Sequence, residues 1–145
     1  RILFHDKRKP HYGFTNLSKH NVFYDGKLYP TSEHLFQALK FLKVKPDLAE
    51  HIRMCSDKPR RAIEEAHRLR KSRRSDWKDV RIRMMYRAIR HKFKQHHTLR
   101  QELLDTGNAK LVEASPTDDF WGIGKDGKGR NELGKALMRL RDEFR

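Results

Sequence analysis

From Trp77 to Lys94, apolar residues return at three- and four-residue steps: Trp77, Val80, Met84 and Ala88, with Met85 and Ile89 beside them. That is the repeat of a helix with one apolar side, and such a side has to be covered by other elements of the chain. Asp76 stands where it can cap the first turn. With 145 residues the chain is long enough to build one domain with a real core. The expectation is a single domain over residues 1–145 with this long helix inside it.

The other elements are punctuated clearly. Ile2–Phe4 reads as a short strand. Val22-Phe23-Tyr24 and Lys27-Leu28-Tyr29 flank Asp25-Gly26, and an Asp-Gly pair between β-prone runs is a strong hairpin signal. Pro30 ends the second run, and Thr31 or Ser32 can cap a helix that follows. Further helices are predicted from Pro46 to about Cys55, from Pro59 to about Lys71, from a Thr98 cap to Gly107, and after an Asn131 cap to the end. The Pro59 helix turns Ala62, Ile63, Ala66 and Leu69 to one side. The last carries Leu133, Ala136, Leu137 and Leu140. Lys110–Ala114 reads as a short strand and Asp119–Trp121 as another. Mostly helices with a few short strands make an α+β fold.

No run of about 18 or more apolar residues exists, so no membrane span is expected, and no signal-peptide pattern is visible. The chain begins at Arg1 rather than Met, as an excerpt of a longer protein would. The one cysteine, Cys55, allows neither an internal disulfide nor a multi-cysteine zinc site. An intracellular setting, cytoplasm or nucleus, fits. The net charge of +15 points to an anionic partner. The charge is concentrated: residues 53–94 hold 16 Lys or Arg against 5 Asp or Glu. Solvated helix faces would explain single residues of this block. The block as a whole favours a surface for a polyanion such as nucleic acid.

Three stretches carry candidate chemistry. In YPTSEHLFQALK, residues 29–40, Glu33, Gln37 and Lys40 fall on one helical stripe beside Leu35, Phe36 and Leu39. The stripe is either a solvated surface or one wall of a site. Glu33 and Lys40 lie about 10 Å apart along the axis at about 1.5 Å per residue, near enough for long side chains to converge. Asp118-Asp119-Phe120-Trp121-Gly122 joins acids to rings, as a loop that stacks a base would, or as a turn with buried rings would. Gly122-x-Gly124-x-x-Gly127 has the dinucleotide spacing, but no strand–loop–helix–strand unit fits around it. It can still offer backbone N–H groups to phosphate ahead of Asn131, or be a turn. Nine histidines include no HExxH and no paired His/carboxylate pattern, so no metal is expected. Cys55, with His51 four residues before it, is a small core residue or a nucleophile. The sequence calls for no cofactor.

FTNLS at 14–18, YPTSEHLFQALKF at 29–41, the Trp77 helix ending in His91-Lys92-Phe93, LLDTGNAKLVE at 103–113, Asp118-x-Phe-Trp-Gly and GKGRNELGKALMRLR at 127–141 together resemble the NADAR family. The resemblance spans nearly the whole chain in order. It implies an N-glycosidase that cleaves a phosphorylated ribose from nitrogen. Two substrate classes are associated with the family: early phosphoribosylamino-pyrimidine intermediates of riboflavin synthesis, and ADP-ribose attached to guanine in a nucleotide or nucleic acid. It places the functional acids at Glu33 and Asp118, the aromatic wall at Trp77 and Trp121, and a Schiff-base-forming lysine at Lys40. Gly122 belongs to the same loop. Asn16 and Asn131 are candidates for ribose hydroxyls or phosphate, with a turn or cap role open for each, and Arg130 for a phosphate. The basic block favours ADP-ribosylated guanine over the pyrimidines. A reader module that binds ADP-ribose or nucleic acid without turnover is the alternative from another class.

Overall fold

The computed structural model describes residues 1–145. Along the chain it places β1 (Ile2–Phe4), β2 (Val22–Tyr24), β3 (Lys27–Tyr29), α1 (Ser32–Leu39), α2 (Pro46–Met54), α3 (Pro59–Arg68), α4 (Trp77–Gln95), α5 (His97–Asp105), β4 (Leu111–Glu113) and α6 (Glu132–Phe144). Single 3₁₀ turns lie at Tyr12–Phe14 and Arg70–Ser72. This is the α+β fold expected. The backbone divides into two units, residues 1–18 with 96–145, and residues 19–95.

In the 19–95 unit the hairpin forms as the Asp-Gly pair predicts. β2 and β3 pair antiparallel with Val22 opposite Tyr29. Asp25 and Gly26 take φ of 49° and 78°, the left-handed pair a type I′ turn needs. The outer edge of β2 is closed by a side chain: Gln95 Oε1 accepts from Phe23 N–H at 2.7 Å and its amide N–H donates back to Phe23 C=O at 2.7 Å. α1 starts at a cap supplied by Thr31, whose hydroxyl accepts from His34 N–H at 3.2 Å. His34 is fully buried. Its Nδ1 is bonded to the Thr31 hydroxyl at 2.9 Å and its Nε2–H donates to Ser56 C=O at 2.8 Å. Burial lowers the pKa of this ring, with the Ser56 bond opposing. α1 packs on α2, α3 and α4, and the predicted stripe of α4 is buried from Trp77 to Phe93. On α3, Ala62 and Ala66 are buried but Ile63 is 36% exposed. The Asp76 carboxylate receives Arg74 through two bonds of 2.6 and 2.9 Å, immediately before α4.

In the other unit β1 pairs parallel with β4, Ile2 opposite Leu111. α6 crosses β4 so closely that a Cβ on Gly134 would lie 2.3 Å from Leu111 O, which explains a glycine inside a helix despite its cost. Leu133, Ala136, Leu137 and Leu140 are buried there as predicted. Arg141 is buried and donates to Thr106 Oγ1 at 2.9 Å and Ala109 C=O at 2.8 Å.

Three sequence expectations change. Thr98 does not cap α5; the helix begins at His97, with His96 before it and no side-chain cap. Asp119–Trp121 is a bend and not a strand, because its carbonyls are taken up by the chain that leads into α6. Asn131 does precede α6, but its side chain makes no cap bond. It turns instead to β4, accepting from Glu113 N–H at 2.9 Å and donating to Leu111 C=O at 3.0 Å.

Candidate active site

The stripe of α1 is buried at Gln37 and half-buried at Glu33 and Lys40, and so is not a solvated face. Gln37 is 6% exposed and donates from Nε2 to Glu33 Oε2 at 2.8 Å. The buried Oε1 of Gln37 has no hydrogen-bond partner, an acceptor that a protein interior rarely leaves unsatisfied. Lys40 follows the last residue of α1 with helical backbone angles. Its Nζ stands 5.6 Å from the Trp77 ring centroid and 6.0 Å from that of Phe36. Those two rings pack against each other at 5.2 Å. The backbone is tied here too, by a 2.9 Å bond from Arg74 N–H to Lys40 C=O.

This surrounding changes the amine. Burial brings Lys40 down from 10.5 to about 8, opposed by the Glu33 charge and assisted by the nearby Arg73 cation. Desolvation penalises the charged form, so a lysine between rings becomes available as a neutral nucleophile near physiological pH.

Sequence reasoning missed a second amine. Lys92 on α4 is 0% exposed. Burial lowers it from 10.5 to about 7, while the Glu33 charge raises it. Glu33, half-buried itself, therefore lies in the field of two lysines and bonds the Gln37 amide. The missed signal was positional: Lys92 is four residues after Ala88 and three after Ile89, on the apolar stripe. A lone cation in such a stripe is buried with a partner.

The second cluster lies in the 1–18/96–145 unit. Asp118 Oδ1 accepts from the N–H groups of Phe120 at 3.0 Å and Trp121 at 2.8 Å. The Asp118 N–H donates to Ser115 Oγ at 3.2 Å. These bonds present Trp121 half-buried, in an edge contact of 4.8 Å with Phe120. Gly122 is a packing residue: a Cβ there would meet Glu113 O at 2.8 Å and Asp118 O at 2.9 Å. Arg130 lies 4.7 Å over the Phe120 ring, and its guanidinium binds Glu132 at 2.9 Å. It also lines an open basin of about 400 Å³ with Lys110 and Lys135. Asn16 is 4% exposed.

The glycine loop does not keep its N–H groups for phosphate. Those of Gly127, Gly129, Arg130, Asn131, Glu132 and Leu133 donate to carbonyls of Gly124, Ile123, Asp119, Gly122, Phe120 and Trp121 respectively. The loop is a folded knot on which α6 starts. Cys55 is unsuited to nucleophilic work: burial raises its pKa, and His51 turns to Glu65 at 2.7 Å. No three His, Cys, Asp or Glu side chains gather as a metal-ligand group, and no helix is long and apolar enough to cross a membrane.

The chain is similar to known proteins along nearly its whole length. The chain is 42% identical over 143 residues to N-glycosidase YbiA of Escherichia coli, covering 99% of this chain and 88% of that one. It is 36% identical to an N-glycosidase of Nostoc punctiforme, covering 99% and 92%. A riboflavin biosynthesis protein of Vibrio vulnificus is 37% identical, with 99% of this chain matching 38% of that longer one. The NMR structure of E. coli YbiA superposes with a TM-score of 0.89 at 40% identity, over 99% of this chain and 83% of that one. The NADAR domain family matches residues 3–145. The chain belongs to the NADAR family.

Proposed function

We propose that the protein is an N-glycosidase that cuts the ribose C1–N bond of an ADP-ribosyl group joined to guanine, in a nucleotide or in nucleic acid. The observation that carries this reading is the Lys40 amine, held between Phe36 and Trp77 and brought to about 8. A binding module has no use for an amine brought this far toward neutrality at the expense of its solvation. The relatives named N-glycosidase support the same reaction type.

Cleavage of a C1–N glycosidic bond passes through an oxocarbenium-like state. The Glu33 carboxylate stabilises that developing cation. The neutral Lys40 amine attacks C1, the base leaves with a proton, and opening of the ribose ring gives an imine that water releases. Lys92 is sealed in the core and does not reach a substrate. Asp118 is proposed as the acid that serves the departing nitrogen. Trp77, Trp121 and Asn16 are proposed as substrate-binding residues, with Arg130 on a phosphate. Gly122 and Asn131 serve the reaction indirectly, by the packing and β4 bonds described above.

The preference for a guanine adduct in nucleic acid rests on charge. Arg60, Arg70, Lys71, Lys78, Arg83 and Lys94 are exposed and have no acidic partner within 4 Å, while Arg53, Arg61, Arg68 and Arg74 do. Phosphoribosylamino-pyrimidine is the second reading, favoured by the riboflavin biosynthesis relative. The test incubates the protein separately with guanine-ADP-ribosylated DNA and with the pyrimidine, adds borohydride, and reads products by mass spectrometry. ADP-ribose release from DNA with a reduced adduct on Lys40 is the expected result. Release from the pyrimidine alone transfers the assignment to the second reading. Tight ADP-ribose binding with no release from either substrate overturns the enzymatic reading.

A further inference from the structure

Gln37 is a polar residue that the mechanism above leaves unused. It stands on α1 four residues after Glu33 and three before Lys40, and helical spacing puts all three on one side. Its surroundings are fixed: Leu35, Ala38 and Leu39 of the same helix are buried, and Gln37 itself is 6% exposed. Only one end of its amide is engaged. Nε2 donates to Glu33 Oε2 at 2.8 Å, while the buried Oε1 has no hydrogen-bond partner. An unmet buried acceptor destabilises the fold, and a Met or Leu of similar size would carry no such burden. The opposite orientation of the amide would set its oxygen against the ionised Glu33 carboxylate, two acceptors with no proton between them. Glu33 therefore dictates how this amide lies. An N–H bond to an ionised carboxylate belongs to the stronger class of hydrogen bonds. Glu33, in turn, is half-buried. A long side chain in that position keeps rotamer freedom, which a carboxylate has to give up before it can face a reacting atom. The Gln37 bond removes that freedom before substrate arrives.

We propose that Gln37 is the positioning residue of this site: its amide holds the Glu33 carboxylate in the orientation from which it stabilises the cation developing at C1. The inference rests on the role proposed for Glu33. Gln37 exchanges no proton and forms no bond to substrate; it acts through Glu33.

The first arm of the test is kinetic, on guanine-ADP-ribosylated DNA and the pyrimidine. Gln37→Met keeps the length of the side chain and removes both the donor and the unmet acceptor. It is expected to lower kcat about 30-fold at unchanged KM, with Tm at or above that of wild type. A residue that served packing alone would lose Tm and leave kcat as it was. In a Glu33→Gln background the same substitution is expected to cost nothing further, because the two residues act as one unit. A Gln37→Met enzyme with wild-type kcat overturns the proposal, as do losses that simply multiply in the double variant. Should Gln37→Met fail to fold, Gln37→Asn replaces it in the same cycle, since its shorter amide stays polar but stops short of Glu33. The second arm needs no turnover: the Gln37 side-chain amide protons are followed by NMR in wild type and in Glu33→Ala. The proton bonded to Glu33 is expected to move upfield when the carboxylate is removed, and an unmoved signal overturns the proposal. If wild type turns over neither substrate, the functional reading fails, and the amide signal alone decides whether Gln37 holds Glu33.

Discussion

The two clusters bury titratable groups by the same means and obtain opposite results. In the 19–95 unit the buried groups are amines, Lys40 and Lys92, brought down to about 8 and about 7. In the other unit the buried group is a carboxyl, Glu113, driven up to about 8. Desolvation acts only against charge, so it favours the neutral amine in the lysines and the neutral carboxyl in the glutamic acid. The neighbours differ in kind as well. Glu33 opposes the shift of both lysines, whereas Asp118 reinforces the shift of Glu113. One unit thus holds weakened bases and the other a weakened acid, each closer to neutrality near pH 7 than it would be in water.

The largest expected effect breaks the first side of this contrast. Glu33→Gln keeps the shape and the neighbouring Gln37 but removes the charge; turnover is expected to drop by about 100-fold or more while circular dichroism stays unchanged. Full activity in this variant would take Glu33 out of the mechanism. Lys40→Arg keeps a cation against Trp77 but cannot form an imine. It is expected to abolish the borohydride-trapped adduct and activity together, checked by intact-mass spectrometry.

A pH experiment sharpens the comparison by sign. Between pH 7 and 10.5 the folded Lys92 has released its proton while the unfolded one retains it, so stability rises with pH across that window. Lys92→Met, similar in shape and apolar, should lack that rise, and the difference in Tm from wild type reads it. Between pH 4.5 and 8 the folded Glu113 keeps a proton that the unfolded chain gives up, so stability falls with pH. Glu113→Gln should flatten this fall. The smallest effect concerns the surface. Lys71→Ala with Lys78→Ala is expected to raise KM for ADP-ribosylated DNA, lower the salt slope by about one for each phosphate no longer neutralised, and leave a mononucleotide substrate unaffected.

Much of the fold was legible because it is punctuated locally. Asp25-Gly26, the prolines at the starts of α2 and α3, and the stripe of α4 each specify their element without help from distant residues. The α1 stripe was legible as geometry but not as wall or surface, since that depends on Trp77 arriving from α4. Lys92 and Glu113 were hidden for one reason: each is a charged residue in an apolar segment, and sequence alone does not show which carbonyls, rings and charges surround it. The glycine loop was ambiguous because glycines serve close packing as readily as phosphate, and only the hydrogen bonds decide. Asn131 misled in the same way, since an amide that could cap a helix is equally able to reach a strand.

That reach has a consequence for the behaviour of the protein in solution. Asn131 and Gln95 each present a side-chain amide to a strand, one to β4 and one to β2, and each both accepts and donates there. An amide used in this way imitates one residue of a neighbouring strand. Two-stranded sheets with open rims invite a second molecule to continue them, and β2 also exposes Phe23 at 54% beside Leu28 at 45%. The amide at Gln95 occupies the position from which such a stack would grow, so a single side chain covers that stretch of the ribbon's edge.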